Sequence, residues 1–230
     1  MQLSFAALDQ CASGPCQNGG VCIDGYNSFT CNCSSVPFGG LFCEQPPCNT
    51  TSCYSPSNLQ LEIGVIGNTA SYPIRIIGAA STLPTSASLS IQVFVPHTSS
   101  GDLVITLTDP DNNSLDLTFL AGGLISNVYN GVIFQDNAQA LVLSTAFNET
   151  FITALVPAGP LAAFRGQTLS GLWTLTVTDL IFQDSGYLNQ WGINIDCKDH
   201  TFLNFFLFIS FSFILLFFSS SSDFCCCNRH

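Results

Sequence analysis

The chain has 230 residues, with 15 acidic and four basic side chains and a net charge of −11 at pH 7. Because nucleic-acid binding requires basic groups that neutralise phosphates, this balance excludes a nucleic-acid-binding protein. The length leaves room for one domain of ordinary size beside a small module. Charged residues make up only 8% of the chain, while Ser, Thr, Leu, Ile and Phe are abundant, which favours strands over helices.

The first distinctive feature along the chain is a window with six cysteines and almost no apolar core. The spacing is C-x4-C-x5-C-x8-C-x-C-x9-C within residues 11–43. A segment this short cannot bury enough apolar surface to fold alone, so disulfide bonds must stabilise it. The window therefore indicates an oxidising, secretory or extracellular compartment, although the spacing alone leaves the pairing open. The six residues are Cys11, Cys16, Cys22, Cys31, Cys33 and Cys43.

Turn-forming residues separate these cysteines. They occupy positions 18–20 (Asn-Gly-Gly), 24–25 (Asp-Gly) and 38–40 (Phe-Gly-Gly), where a small hairpin scaffold must reverse direction. In cysteine spacing and turns, the window resembles an epidermal growth factor-like (EGF-like) module, to which we assign residues 9–44. The resemblance implies the disulfide pairs Cys11–Cys22, Cys16–Cys31 and Cys33–Cys43.

Some modules of this kind bind calcium, which requires several oxygen ligands. The resemblance implies Gln10, Asp24 and the carbonyl of Leu8 as ligands. Ala7 stands where the calcium-binding pattern has an acidic or amide residue, so one ligand is missing. Because fewer charged ligands lower the affinity, we expect weak calcium binding at best. The alternative is a simple Asp-Gly turn at residues 24–25 with nothing bound.

Residues 45–68 are predicted to be a linker, because they are rich in proline and contain two further cysteines. Cys48 and Cys53 are close enough to pair with each other, which would leave Cys197 free. Alternatively, one of them pairs with Cys197 and pins the end of the following domain. The sequence leaves both arrangements open.

Short runs of alternating apolar and polar residues follow, separated by turn signals. Alternation of this kind indicates strands with one face on a core and the other in water. Several such strands without an amphipathic helix predict an all-β chain, with an antiparallel β-sandwich after the EGF-like module. The clearest runs are at 89–95, 103–108, 173–178 and 192–195.

Two landmarks make this domain recognisable. The first, at 91–107, reads I-x-V-x-V-x-H-x3-G-D-L-x-I-x-L, and the second, at 171–193, contains Trp173 and Trp191 in the strands flanking a glycine turn. Together they resemble the P domain (Homo B domain) of furin-like and kexin-like proprotein convertases, over residues 69–197. The resemblance implies a jelly-roll-like sandwich. In convertases this domain packs on a subtilisin-like catalytic domain and stabilises it.

The chain itself offers no protease machinery. Such chemistry needs an Asp, a His and a Ser on a large α/β scaffold. His97 fits a strand end, His200 lies beside a hydrophobic tail, and His230 is terminal. No serine has the glycine-rich context of an activated nucleophile. We therefore expect no catalytic residue here.

Two acidic stretches outside the EGF-like module are weaker calcium candidates. Residues 109–116 carry oxygen-bearing side chains at alternate positions, as calcium loops often do. More often such a stretch is a turn whose Asp and Asn side chains bond to their own backbone. Asp179 and Asp184 are predicted to meet in space as a second candidate pair.

Three sequons predict N-glycosylation at Asn49, Asn112 and Asn148. Residues 202–218 are Phe, Leu and Ile with few polar interruptions and no charge, so they predict a single hydrophobic helix that anchors the chain in a membrane. The short tail at 219–230 contains cysteines suited to S-acylation.

The leading hypothesis is a membrane-tethered extracellular protein, single-pass with its N-terminal part outside, or alternatively a secreted one. It would bind an unknown extracellular protein or glycan without catalysis, in recognition or adhesion. The alternative is the C-terminal part of a subtilisin/kexin-like serine endopeptidase, because residues 1–8 are too short for a signal peptide. A third hypothesis is a decoy that docks on a protease catalytic domain.

Overall fold

The computed structural model of the protein describes residues 9–64, 69–78, 80–143, 147, 153–181 and 184–197. The segment 202–218, predicted as a hydrophobic helix, lies outside this part of the chain. Among the described residues, no helix has the length and apolarity that crossing a membrane requires.

The described residues form an all-β structure, which confirms the predicted fold class. Two short 3-10 helices, Ser100–Asp102 and Leu161–Phe164, interrupt the strands. The strands are β1 (Val21–Gly25), β2 (Ser28–Asn32), β3 (Ser52–Tyr54), β4 (Leu61–Ile63), β5 (Thr69–Ile76), β6 (Ala87–Phe94), β7 (Leu103–Thr108), β8 (Ser114–Phe119), β9 (Asn130–Gln135), β10 (Ala154–Leu155), β11 (Gly171–Asp179), β12 (Gly186–Leu188) and β13 (Gln190–Cys197).

The larger unit is a β-sandwich of two sheets. One sheet has the order β10-β9-β6-β13-β3 and the other β5-β11-β7-β8, with β12 and β4 paired beside them. All neighbouring strands within the two sheets are antiparallel except the short β10–β9 pair. The predicted antiparallel sandwich is therefore correct, with one parallel pair at its edge.

The two tryptophans fill the core between the sheets, as the strand pattern predicts. Trp173 and Trp191 are fully buried, and each indole N–H still has an acceptor. Trp173 Nε1 donates to the carbonyl of Leu169 at 2.9 Å, and Trp191 Nε1 donates to the carbonyl of Tyr72 at 3.0 Å. Large aromatic groups therefore enter the core without an unpaired donor.

The N-terminal module is built on the antiparallel hairpin β1–β2 and three disulfide bonds. Asn27 holds the tight turn with φ of 52°, a conformation that asparagine tolerates better than most residues. The bonds join Cys11 to Cys22, Cys16 to Cys31 and Cys33 to Cys43. These are the pairs that the resemblance to an EGF-like module implies.

The segment 45–68 is more than the linker that the sequence predicts. Its residues form β3, which pairs with β13, and β4, which pairs with β12. A disulfide joins Cys48 to Cys53, which rules out a bond from either of them to Cys197 in this structure. Strands of three residues are too short to show alternation, and the prolines beside them mimic a linker.

Candidate functional site

The first candidate site lies at the start of the EGF-like module. Carboxylate oxygens of Asp9 and Asp24 lie within 4.8 Å of each other, beside Cys11 Sγ. The backbone N–H of Gln10 donates to Asp24 Oδ1 at 2.8 Å, and that of Cys11 donates to Asp9 Oδ1 at 2.9 Å. The fold therefore brings the predicted ligands Gln10 and Asp24 together.

The composition of this cluster differs from the prediction. Asp9 takes part, although only its neighbour Gln10 was expected to, and the predicted Leu8 lies outside the described residues. Cys11 Sγ is bonded to Cys22 and offers no thiolate. Two exposed carboxylates fit the oxygen preference of calcium, but they are few ligands for an ion that takes six to eight. The acidic residue at position 9 was the available signal in the sequence.

The acidic stretch at 109–116 is a hydrogen-bonded turn. Asp109 Oδ1 accepts the backbone N–H groups of Asp111 at 2.9 Å and Asn113 at 2.8 Å, while its Oδ2 accepts Asn113 Nδ2 at 2.9 Å. Asp116 Oδ1 accepts the hydroxyl of Thr106 at 2.7 Å. Asp109 and Asp116 therefore bond within the hairpin, which is the alternative that the sequence left open, while Asp111 Oδ2 accepts the N–H of Thr168 at 3.2 Å.

Asp179 and Asp184 do not form the predicted pair. Asp179 is 1% exposed and its Oδ2 lies 3.4 Å from Nε2 of the equally buried His97. Asp184 Oδ1 instead accepts the hydroxyl of Thr98 at 3.0 Å. His97 Nδ1 lies 2.8 Å from the carbonyl of Ser99 in the same loop, so the ring lies between its own loop and the end of β11. The sequence predicts His97 at a strand end. Its carboxylate partner, Asp179, was not predicted and comes from the distant strand β11.

Arg75 joins the EGF-like module to the sandwich. It lies on the edge strand β5, and its guanidinium donates to three carbonyls of the module. These are Cys33 at 2.8 Å, Phe38 at 3.1 Å and Ser34 at 3.2 Å. Partial burial lowers the pKa of Arg75, because desolvation disfavours the charged form. Three backbone acceptors offset that cost at the module boundary.

Backbone bonds complete this junction. The N–H of Gly40 donates to the carbonyl of Pro73 at 2.9 Å, and the N–H of Cys48 donates to the carbonyl of Arg75 at 2.8 Å. A Cβ on Gly39 would lie 2.8 Å from the nitrogen of Arg75, so this approach requires glycine. The module and the residues after it thus cover part of the open edge of β5, which an isolated sandwich would expose.

A buried tyrosine reinforces the contact. The hydroxyl of Tyr72 donates to Glu44 Oε1 at 3.0 Å, and Glu44 Oε2 accepts the N–H of Phe42 at 2.7 Å. Burial raises the pKa of Tyr72, and the negative charge and hydrogen bond of Glu44 raise that pKa further. The phenol therefore stays protonated and keeps donating to the module at physiological pH.

Two of the predicted glycosylation sites lie in the described part of the chain. Asn49 and Asn112 are both exposed, and Asn112 sits in the β7–β8 turn with φ of 66°. Asn148 lies outside the described residues. Exposed turns are the positions at which a bulky glycan meets no steric obstacle.

The fold defines a disulfide-stapled module fixed to the edge of a β-sandwich. Comparison with protein-family models identifies residues 11–42 as an EGF-like domain and residues 86–195 as a proprotein convertase P-domain. Both resemblances drawn from the sequence are therefore confirmed, and the chain carries an EGF-like domain followed by a P-domain.

Individual relatives match only part of this chain. Human neurexin-2 is 55% identical over 42 residues, which is 18% of this chain and 2% of the relative. Leupeptin-inactivating enzyme 1 of Streptomyces exfoliatus is 28% identical over 123 residues, covering 54% of this chain and 21% of the enzyme. The crystal structure of a serine protease of Aeromonas sobria aligns at 21% identity with a TM-score of 0.36, covering 66% of this chain and 28% of the protease. The chain thus spans a small part of each relative.

Proposed function

We propose that the protein is a membrane-tethered extracellular protein whose EGF-like domain and P-domain form one non-catalytic binding unit. The observation that carries this proposal is the junction at Arg75, which fixes the two domains to each other. Four disulfide bonds among the described residues support an oxidising compartment. A fixed pair of domains holds its outer surfaces in a constant arrangement, which suits recognition of an extracellular protein or glycan.

The tether is assigned to residues 202–218, whose uncharged sequence is near the minimum length for a helical span. Behind a signal peptide, the full chain is expected at the surface of transfected cells, and a chain lacking 202–218 in the medium. Surface labelling of intact cells and blotting of the medium measure both. Deletion of 219–230 is the control and is expected to leave the chain at the surface.

Recovery of the full chain in the medium would contradict the tether. The sequons supply an independent marker of secretion, because a glycan on Asn49, Asn112 or Asn148 is added only in the secretory pathway. A mobility shift after glycosidase treatment therefore separates a chain that never entered the pathway from one that entered it and was released.

A second function is favoured by the P-domain at residues 86–195. In this alternative the chain is the C-terminal part of a subtilisin/kexin-like serine endopeptidase, and its P-domain stabilises a catalytic domain encoded upstream. Sequencing of the full-length transcript decides between the two. A signal peptide directly before the EGF-like domain supports the binding protein, while an upstream Asp, His and Ser framework supports the protease.

We also propose weak calcium binding at Asp9 and Asp24. With so few carboxylates, the expected dissociation constant is about 10⁻⁴ to 10⁻³ M, the range of extracellular calcium modules. Titration calorimetry of the full chain measures it. Asp9→Asn or Asp24→Asn is expected to abolish the heat of binding, whereas Asp111→Asn, an exposed carboxylate in the β7–β8 turn, leaves it unchanged. No heat at millimolar calcium would remove the site.

A further inference from the structure

We propose that the outer face of the five-stranded sheet binds a neutral glycan, with Tyr54 as the platform on which a sugar ring stacks. This proposal rests on the extracellular binding role proposed above and names the ligand class. It starts from the position of Tyr54 on β3, at the edge of the sheet, where β3 pairs with β13.

Tyr54 lies flat on the sheet because its neighbour is a glycine. Gly192 is the partner of Tyr54 in the β13–β3 register, and a Cβ at Gly192 would overlap the tyrosine ring. One face of the ring therefore covers the backbone of β13. The residue remains 37% exposed, so the aromatic surface is available to a ligand.

Two amide side chains hold the ring in place. The hydroxyl of Tyr54 donates to Gln92 Oε1 at 3.0 Å and accepts from Asn194 Nδ2 at 3.3 Å. Each amide uses one of its polar atoms in this way. The Gln92 nitrogen and the Asn194 oxygen make no further hydrogen bond within the described part of the chain, and they can serve a ligand as donor and acceptor.

The rest of this face is mostly polar and nearly uncharged, with Phe94 on β6 and Ile133 on β9 as partly exposed apolar members. Its outward residues alternate with the buried ones on β3, β6, β9 and β13. Among these strand residues the face has one carboxylate and no basic group, so it matches an uncharged ligand rather than a sulfated or carboxylated one. Besides Tyr54, Gln92 and Asn194, the polar members are Ser52, Ser88, Ser90, Gln135, Gln190 and Asp196.

This combination fits a sugar better than a protein. A pyranose ring has an apolar face of C–H groups and a rim of hydroxyls, which correspond to an aromatic platform bordered by amides. The core of a protein–protein interface is instead enriched in several aromatic and apolar groups. Tyr54, Phe94 and Ile133, set among serine and amide side chains, provide little such area.

The experiment uses the full chain in a detergent that has no sugar headgroup. Native electrophoresis is run in gels containing laminarin, yeast mannan or arabinogalactan, with heparin as the anionic probe. At least one neutral polysaccharide is expected to retard the protein, and heparin is not. Tyr54→Ala is expected to weaken that retardation about tenfold through loss of stacking, and Tyr54→Phe by less than about threefold, since the ring remains.

Tyr187→Ala is the matched control, because Tyr187 on β12 is 44% exposed and lies outside the proposed face. It is expected to bind like the wild type. Gln92→Ala and Asn194→Ala each remove one amide and keep the tyrosine ring. Each variant is expected to weaken polysaccharide binding severalfold.

Retardation by none of the three neutral polysaccharides would overturn the proposal. So would retardation by heparin alone, or equal affinity in all face variants that keep the native circular dichroism spectrum. Cell-surface labelling reports separately on the proposed function. A chain that reaches the surface but binds no polysaccharide leaves that function standing and removes only the glycan site.

Discussion

Replacement of Arg75 by alanine is expected to lower the free energy of unfolding by about 2 kcal/mol and to loosen the EGF-like domain from the sandwich. The guanidinium supplies three hydrogen bonds to carbonyls of the module. Hydrogen bonds from a charged donor are stronger than those between neutral groups. The partial exposure of Arg75 reduces the total that its three bonds contribute to stability. Denaturant unfolding measures the loss of stability.

Amide hydrogen exchange locates the effect. The N–H groups of Gly40 and Cys48 cross the junction, so their exchange is expected to accelerate in the Arg75→Ala variant. Arg165→Ala is the control, because Arg165 donates to the carbonyl of Ala87 inside the sandwich. It is expected to cost stability without faster exchange at Gly40 and Cys48. Unchanged exchange there in Arg75→Ala would show that the junction does not depend on the arginine.

Replacement of Asp179 by alanine is expected to destabilise the P-domain by about 2–3 kcal/mol, the usual cost of leaving a buried polar group without its partner. The substitution leaves the buried His97 ring without the carboxylate beside it. It also removes the acceptor of the Ile181 N–H, which in the wild-type protein donates to Asp179 Oδ1 at 3.0 Å. Urea unfolding followed by tryptophan fluorescence measures the loss, because both tryptophans lie in the core.

Two further variants separate the contribution of the Asp179 charge to stability from that of a single hydrogen bond. Asp179→Asn keeps the acceptor for Ile181 but removes the charge, so its cost is expected to be intermediate. Asp184→Ala removes a single hydrogen bond to Thr98 at the edge of the same region and is expected to cost about 1 kcal/mol. Equal destabilisation by Asp179→Ala and Asp184→Ala would mean that the contact with His97 contributes nothing.

Local patterns account for the parts of the fold that the sequence predicts. The strand at 173–178 alternates large apolar residues with threonine, and this period places Trp173 in the core whatever its neighbours are. The six cysteines at 11–43 also predict their fold locally, because their spacing and the turn residues between them resemble an EGF-like module.

The junction and the buried histidine pair were not predictable, because their partners are far apart in the chain. Arg75 binds carbonyls about forty positions earlier, and backbone carbonyls leave no mark in a sequence. His97 follows β6 in one sheet and Asp179 ends β11 in the other, so they meet only through the packing of the two sheets. β3 and β4 were missed for a different reason, since each is three residues long.

The positions at which the chain enters and leaves the sandwich have a consequence for a tethered protein. The N–H of Ile195 donates to the carbonyl of Thr51 at 2.7 Å, so entry through β3 and exit through β13 are neighbours. In a chain anchored after β13, the EGF-like domain therefore stands close to the lipid surface, although it comes first in the sequence. The loop that carries His97 lies at the opposite end of β6 and β13, so in such an anchored chain it would point away from the lipid surface, and an approaching partner would meet the P-domain first.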